Sequence, residues 1–169
     1  MFTKYKEITE QAFINLKELE KNKLDIRFVY GHSRINTFQT RPSFVHLFLG
    51  KRVYLLVKSK NKKVAELFNN LSQDAKIGIL THELSHVVDY EKMSLKKLIV
   101  FSFKYLTSYK EKENSERRVD LHAAQASPKH NLAWKLSKPK IFNTAFEKKY
   151  WRNVEKFYLH IEEVEELLH

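Results

Sequence analysis

From Asn70 to Met93 the chain carries its most informative helical pattern, and few folds can accommodate what that pattern holds. Ile77, Leu80, Leu84, Val87 and Val88 recur at spacings of three and four, so they share a face that has to be buried. Asn70-Leu71-Ser72-Gln73 supplies capping residues just ahead of the run. Gly78 stands inside it, where a residue without a Cβ marks a close packing approach. The spacing predicts a central, largely buried helix with the rest of the domain built around it. The same helix holds His82, Glu83 and His86 among those apolar neighbours, and buried ionisable groups are costly unless paired or bound to an ion.

The remaining sequence reads as one domain over residues 1–169. Three Gly and three Pro are too few for a flexible interdomain linker, and 43% hydrophobic with 13% aromatic residues excludes a disordered polar chain. Thr3–Asn22 places Ile8, Ala12, Phe13, Leu16 and Leu19 on one helical stripe. Three strands are expected at Asp25–Tyr30, Phe44–Leu49 and Arg52–Ser59, the last two joined as a hairpin across Gly50-Lys51, with His46 a half-buried strand residue. Further helices are expected at Lys63–Asn69, Ser94–Lys110, Lys112–Gln125 and Thr144–Leu168, the last opened by a Thr144-x-x-Glu147 capping box. Ala126–Pro139, with two prolines, reads as a loop. Strands first and helices afterwards predict an α+β domain, a small antiparallel sheet in the N-terminal half packed on a mainly helical core.

The balance of 31 Lys+Arg against 20 Asp+Glu leaves a net charge of +11, which suits an anionic partner such as nucleic acid or a membrane surface. The excess is spread along the chain and turns acidic only after residue 140, so it reads as a generally basic surface more than a single binding groove. Met1–Glu10 lacks the apolar run of a secretory leader, and the longest apolar stretch, Leu98–Phe103, is too short to span a bilayer. A cytoplasmic location without a transmembrane segment is the expectation. Cys is absent, so disulfides and thiolate ligands are excluded and any metal must be held by His, Asp and Glu.

His82-Glu83-Leu84-Ser85-His86 is an H-E-x-x-H pattern, and its spacing puts both imidazoles one turn apart on one helix face, the geometry for gripping one zinc ion. Glu83 is displaced around the helix, so its carboxylate can act as general base on a metal-held water without taking a coordination position. Glu116-x-x-x-Asp120 sets two carboxylates on one face of a later helix. Glu116 can complete a His₂Glu site with one open position, and Asp120 can accept the outer ring N–H of a ligating histidine. Glu113 competes for the third ligand but lacks an Asp four residues on; Asp89 is too far along the helix and is expected to bond a neighbouring side chain. His122 projects away from the ligand face.

These motifs resemble those of the gluzincin zinc metallopeptidases, which pair H-E-x-x-H with a Glu ligand in an E-x-x-x-D helix, and HELSHVVDY at His82–Tyr90 is similar to the active-site helix of thermolysin-type enzymes. The metzincin continuation does not fit, because Asp89 and Lys92 stand where it needs Gly and His. The resemblance covers about Arg52–Gln125 and implies a minimal, single-domain zincin-like peptidase acting on peptide or protein substrates. It implies His82, His86 and Glu116 as zinc ligands, Glu83 as catalytic base and Asp120 as partner of His82. It also implies an edge strand that pairs with an extended peptide, expected to be Phe44–Leu49 or Arg52–Ser59, the first favoured. The transition-state stabiliser is open between Tyr105, Tyr109 and His130. The alternative class is a basic nucleic-acid-associated protein whose zinc site is structural or vestigial.

Overall fold

Helix pairs and a short sheet enclose the central helix in a computed structural model that describes residues 5–20, 24–31, 37–141 and 155–169. In chain order the elements are α1 (Lys6–Asn15), α2 (Lys17–Glu20), β1 (Asp25–Gly31), β2 (Phe38–Pro42), α3 (Phe44–Phe48) and β3 (Val53–Ser59). These are followed by α4 (Lys62–Asn69), α5 (Gln73–Glu91), α6 (Leu95–Thr107), α7 (Tyr109–Ala126), α8 (Pro128–Ile141) and α9 (Ile161–Glu165), with 3₁₀ turns at Glu155–Phe157 and Glu166–Leu168. The domain is α+β, mainly helical, with its three strands in the N-terminal half.

The central helix starts where its capping residues place it: Ser72 Oγ accepts the Ala75 N–H. Ile77, Leu80, Leu84, Val87 and Val88 are all buried on it, and they join Leu16, Leu56, Phe68 and Leu98 in the main core. A Cβ at Gly78 would lie 2.1 Å from the His130 carbonyl oxygen on α8, so the missing side chain is what lets the two helices approach. That approach sets α8 against α5, although Ala126–Pro139 had the marks of a loop. Pro128 opens α8 at the first helical position, where its absent N–H costs nothing, so it starts a helix instead of breaking one.

The sheet differs from the hairpin expectation. Its order is β1-β3-β2, with β1 parallel to β3 and β2 antiparallel to it, so it is mixed and not antiparallel throughout. Phe44–Leu49 is not a strand: Phe44–Phe48 form one helical turn, and Gly50, at φ 72°, closes it. Gly50 N–H donates to Leu47 O and Lys51 N–H to His46 O, which is a Schellman helix end. A glycine that suits a hairpin turn also suits this cap, so the same residues serve either reading. The third strand is Phe38–Pro42, whose alternation of buried Phe38, Thr40 and Pro42 with exposed Gln39 and Arg41 is a short period-two signal.

Two helix expectations are also corrected. The first helix breaks at Leu16, which is fully buried and has non-helical φ and ψ of −109° and 76°, leaving α1 and α2. The expected Thr144–Leu168 helix is not continuous over residues 155–169, where two 3₁₀ turns flank the five-residue α9; its capping box Thr144-x-x-Glu147 lies outside the described residues. Among the described residues no helix is long and apolar enough to cross a membrane.

Candidate metal centre

Glu116 and Asp120 lie on the face of α7 that packs against α5, in a buried row with Ser115, Val119, Ala123 and Ala124. Their spacing of four brings both carboxylates beneath the two histidines of α5. His82 Nε2 stands 3.4 Å from Glu116 Oε2, and His86 Nε2 stands 3.7 Å from Glu116 Oε1. One ligand atom from each of His82, His86 and Glu116 falls within 4.8 Å of the others, and all three residues are buried. This is the one such group of three or more His, Asp or Glu among the described residues. Glu113 is not in it, and Asp89 makes a two-pronged ion pair with Arg118, at 2.9 and 2.7 Å.

Asp120 holds the far side of His82. Its Oδ1 lies 3.2 Å from His82 Nδ1 and accepts from Asn131 Nδ2 at 3.3 Å; its Oδ2 accepts from Lys135 Nζ at 2.5 Å and from the Leu159 N–H at 2.8 Å. Lys135 also donates to Leu159 O, at 2.9 Å. A fully buried carboxylate is thereby satisfied by four donors, which fixes the His82 ring so that Nε2 faces the cluster. The aromatic wall beside it is Trp134 and Tyr158, with ring centroids 4.9 and 5.5 Å from that of His82. His86 is stacked on Tyr90, and its Nδ1 is buried with no hydrogen-bond partner among the described residues.

Glu83 lies on another side of α5, toward the sheet. Thr37 O accepts the Ser59 N–H and Ser43 N–H donates to Val53 O, so odd-numbered residues of this stretch bond β3 while the even-numbered backbone groups of β2 point outward. The outward Thr40 N–H donates to Glu83 Oε2 at 2.6 Å. Among the described residues the sheet edge beside the cluster is therefore β2. Arg52–Ser59 supplies the central strand β3, and Phe44–Leu49 supplies the helix α3, so neither is the edge expected from the sequence.

The electrostatics follow from burying these groups together. Burial opposes charge on His82, but hydrogen bonds to Asp120 and Glu116 outweigh it and push the imidazole up to about 9. Burial likewise opposes the Glu116 carboxylate, yet the neighbouring His86 and His82 hold it well below the usual range. Glu83 is raised by burial, against the pull of His86 and His82, which is the direction a proton carrier near neutrality requires.

Of the three stabiliser candidates, only Tyr105 touches the cluster: its hydroxyl donates to Glu116 Oε1, and burial beside that carboxylate raises it far above the ordinary phenol range. Tyr109 is half exposed and packs on Phe157. His130 faces Ser127, Asn15 and Asp74 beside Gly78, one turn before the motif. His122 turns away, pairing with Glu18 at 2.9 Å. Asn131, Lys135, Tyr158 and the Thr40 backbone were not anticipated. The Asn131-x-x-x-Lys135 spacing is informative only once that segment is a helix, and a backbone N–H has no sequence signature. Compared with known proteins, the chain matches no family model, no curated protein and no solved structure.

Proposed function

We propose that this chain is a zinc-dependent metallopeptidase of gluzincin type that hydrolyses peptide bonds in extended polypeptides. One juxtaposition supports the reading: the buried His82, His86 and Glu116 donors within 4.8 Å of one another, with the Glu83 carboxylate held beside them by the sheet edge. The donor set fits zinc, since two imidazole Nε2 atoms and a carboxylate are its ordinary ligands, and the Asp120 bond to His82 fixes the tautomer that ligation needs. Three protein ligands, with no fourth among the described residues, is the composition of catalytic more than of structural zinc sites, which favours hydrolysis over the structural or vestigial site of a nucleic-acid-associated protein.

When bound, zinc supplies a Lewis acid for the scissile carbonyl and lowers the pKa of water. Glu83 takes the proton from the attacking water and delivers it to the leaving amine, a role suited to a carboxylate whose pKa burial has raised. Edge strand β2 aligns the substrate through its outward backbone groups, the Phe38 N–H among them. Tyr105, whose hydroxyl bonds the Glu116 carboxylate, is the residue that would stabilise an oxyanion formed beside the cluster.

The test separates metal from chemistry. Glu83→Gln should retain about one zinc per chain and lose peptide hydrolysis, by at least about a hundredfold. Glu116→Ala should lose the zinc, and Glu113→Ala should keep it. Unchanged cleavage of a peptide library by the Glu83 variant would overturn the enzymatic reading; zinc retained by Glu116→Ala would overturn the ligand set.

A further inference from the structure

A second feature of the molecule lies on the outer faces of α3 and α6. Helix α3 and its C-cap expose Val45, Phe48 and Leu49 at 69%, 71% and 68%, and α6 exposes Val100, Phe103 and Leu106 at 54%, 57% and 72%. The inward faces of the same helices are anchored by Leu47, Leu98 and Ser102, so the exposed residues are the outward faces of well-seated helices. Phe44 and Phe103 meet with ring centroids 6.4 Å apart, which joins the two faces into one apolar surface. Six large apolar residues exposed to this extent amount to several hundred Å², about the size of the largest patch that a typical monomer leaves bare, and such patches mark interaction sites.

The charge around the patch says what it meets. No Asp or Glu occurs from Ile26 to Ala65, the segment that contains α3, nor from Lys92 to Lys110, the segment that contains α6. On α6, Lys96 lies on the Val100–Phe103 stripe, and Lys97 and Lys104 line its flank; all three are exposed, as is Lys51 just after α3. The acid nearest α3 in sequence, Asp25 on β1, lies near His46 and is paired with Arg27 at 2.7 Å. An apolar helix face bordered mainly by lysines is the pattern of a segment lying in a bilayer interface, its apolar side chains in the acyl boundary and its ammonium groups among anionic headgroups. Nucleic acid would use the lysines but leave Val45, Phe48 and Leu106 in water.

We infer that the α3 and α6 face seats this chain peripherally on an anionic lipid bilayer. The inference does not depend on the peptidase reading. The two helices also border the metal cluster: Tyr105 of α6 bonds Glu116, and α3 follows directly on β2, whose Thr40 bonds Glu83. A chain held by this face carries its metal cluster close beside the lipid surface.

The test is sedimentation of the full chain with vesicles of phosphatidylcholine alone and of phosphatidylcholine containing one-third phosphatidylserine. Binding should require phosphatidylserine and weaken with salt. Each lysine held at an anionic surface is worth about a fivefold change in partitioning, so Lys96→Gln/Lys97→Gln/Lys104→Gln should bind about a hundredfold more weakly. Phe48→Ser/Leu106→Ser, which keeps every charge, should bind at least about tenfold more weakly. All five positions are exposed, so thermal melting should be unchanged in both variants. Equal sedimentation with and without phosphatidylserine, or parental binding by both variants, would overturn the inference. So would vesicle-independent dimerisation abolished by Phe48→Ser/Leu106→Ser, which makes a second copy the occupant, or salt-sensitive binding to duplex DNA that the apolar variant leaves intact.

Discussion

Replacing Asp120 with Asn tests the centre at its most heavily loaded point, because shape is kept while charge and acceptor capacity are lost. Four groups that face this carboxylate can donate: Lys135 Nζ and the Leu159 N–H at Oδ2, Asn131 Nδ2 and His82 Nδ1 at Oδ1. A carboxamide must turn its NH₂ toward one of these pairs, and Lys135, only 4% exposed, loses its counter-charge. Breaking a buried pair by removing one partner costs about 3–5 kcal/mol, a large share of the roughly 5–15 kcal/mol that holds a domain folded. Urea unfolding of the zinc-free protein should register that loss, with Trp134 fluorescence as reporter since its ring lies 4.9 Å from His82. Adding Lys135→Met removes the stranded ammonium, and the double variant should recover about 2–3 kcal/mol. Zinc affinity should fall about 10- to 100-fold in Asp120→Asn and stay low in the double variant, because His82 Nδ1 has lost its carboxylate in both. A cost below about 1 kcal/mol for Asp120→Asn, or no recovery with Lys135→Met, would refute the argument that the pair is buried and coupled.

Zinc-free protein should lose stability as pH rises from about 6.5 through about 9: the folded-state pKa of His82 is raised, so its contribution is fully present below the unfolded value and disappears above the folded one. The loss is of order 3 kcal/mol, should be absent in His82→Gln, and is measured by urea midpoints of chelator-treated protein; a midpoint in the parent independent of pH across that window would contradict it. Gly78→Ala should destabilise by about 1–3 kcal/mol despite the better helix propensity of Ala, because the new Cβ meets the His130 carbonyl and parts α5 from α8; a thermal melt above that of the parent would show that α8 yields freely. Thr40→Pro removes an N–H that points away from β3, so zinc content should hold while peptide cleavage drops at least about tenfold, and undiminished cleavage would argue against a role for that contact.

The candidate metal site of this chain is local in origin, and local patterns are what a sequence displays. A spacing of four puts His82 over His86 and Glu116 over Asp120 in any helix, and Ser72 and Gly78 mark the start and the packing of α5, so these features were legible without a fold. The strands β1 and β3 were legible for the same reason, being long enough to show period-two or apolar character. What tertiary structure decided was the fate of short or ambiguous segments. Phe44–Phe48 is one helical turn because Gly50 caps it; Phe38–Pro42 is a strand because β3 offers it an edge; and Pro128–Ile141 is a helix because Gly78 makes room for it. The Asp120 network belongs to the same category. Lys135 would ordinarily be assigned to the surface, and only the packing of α7 and α8 against α5, with Leu159 brought in from the C-terminal segment, makes its burial favourable by giving its charge a carboxylate to meet.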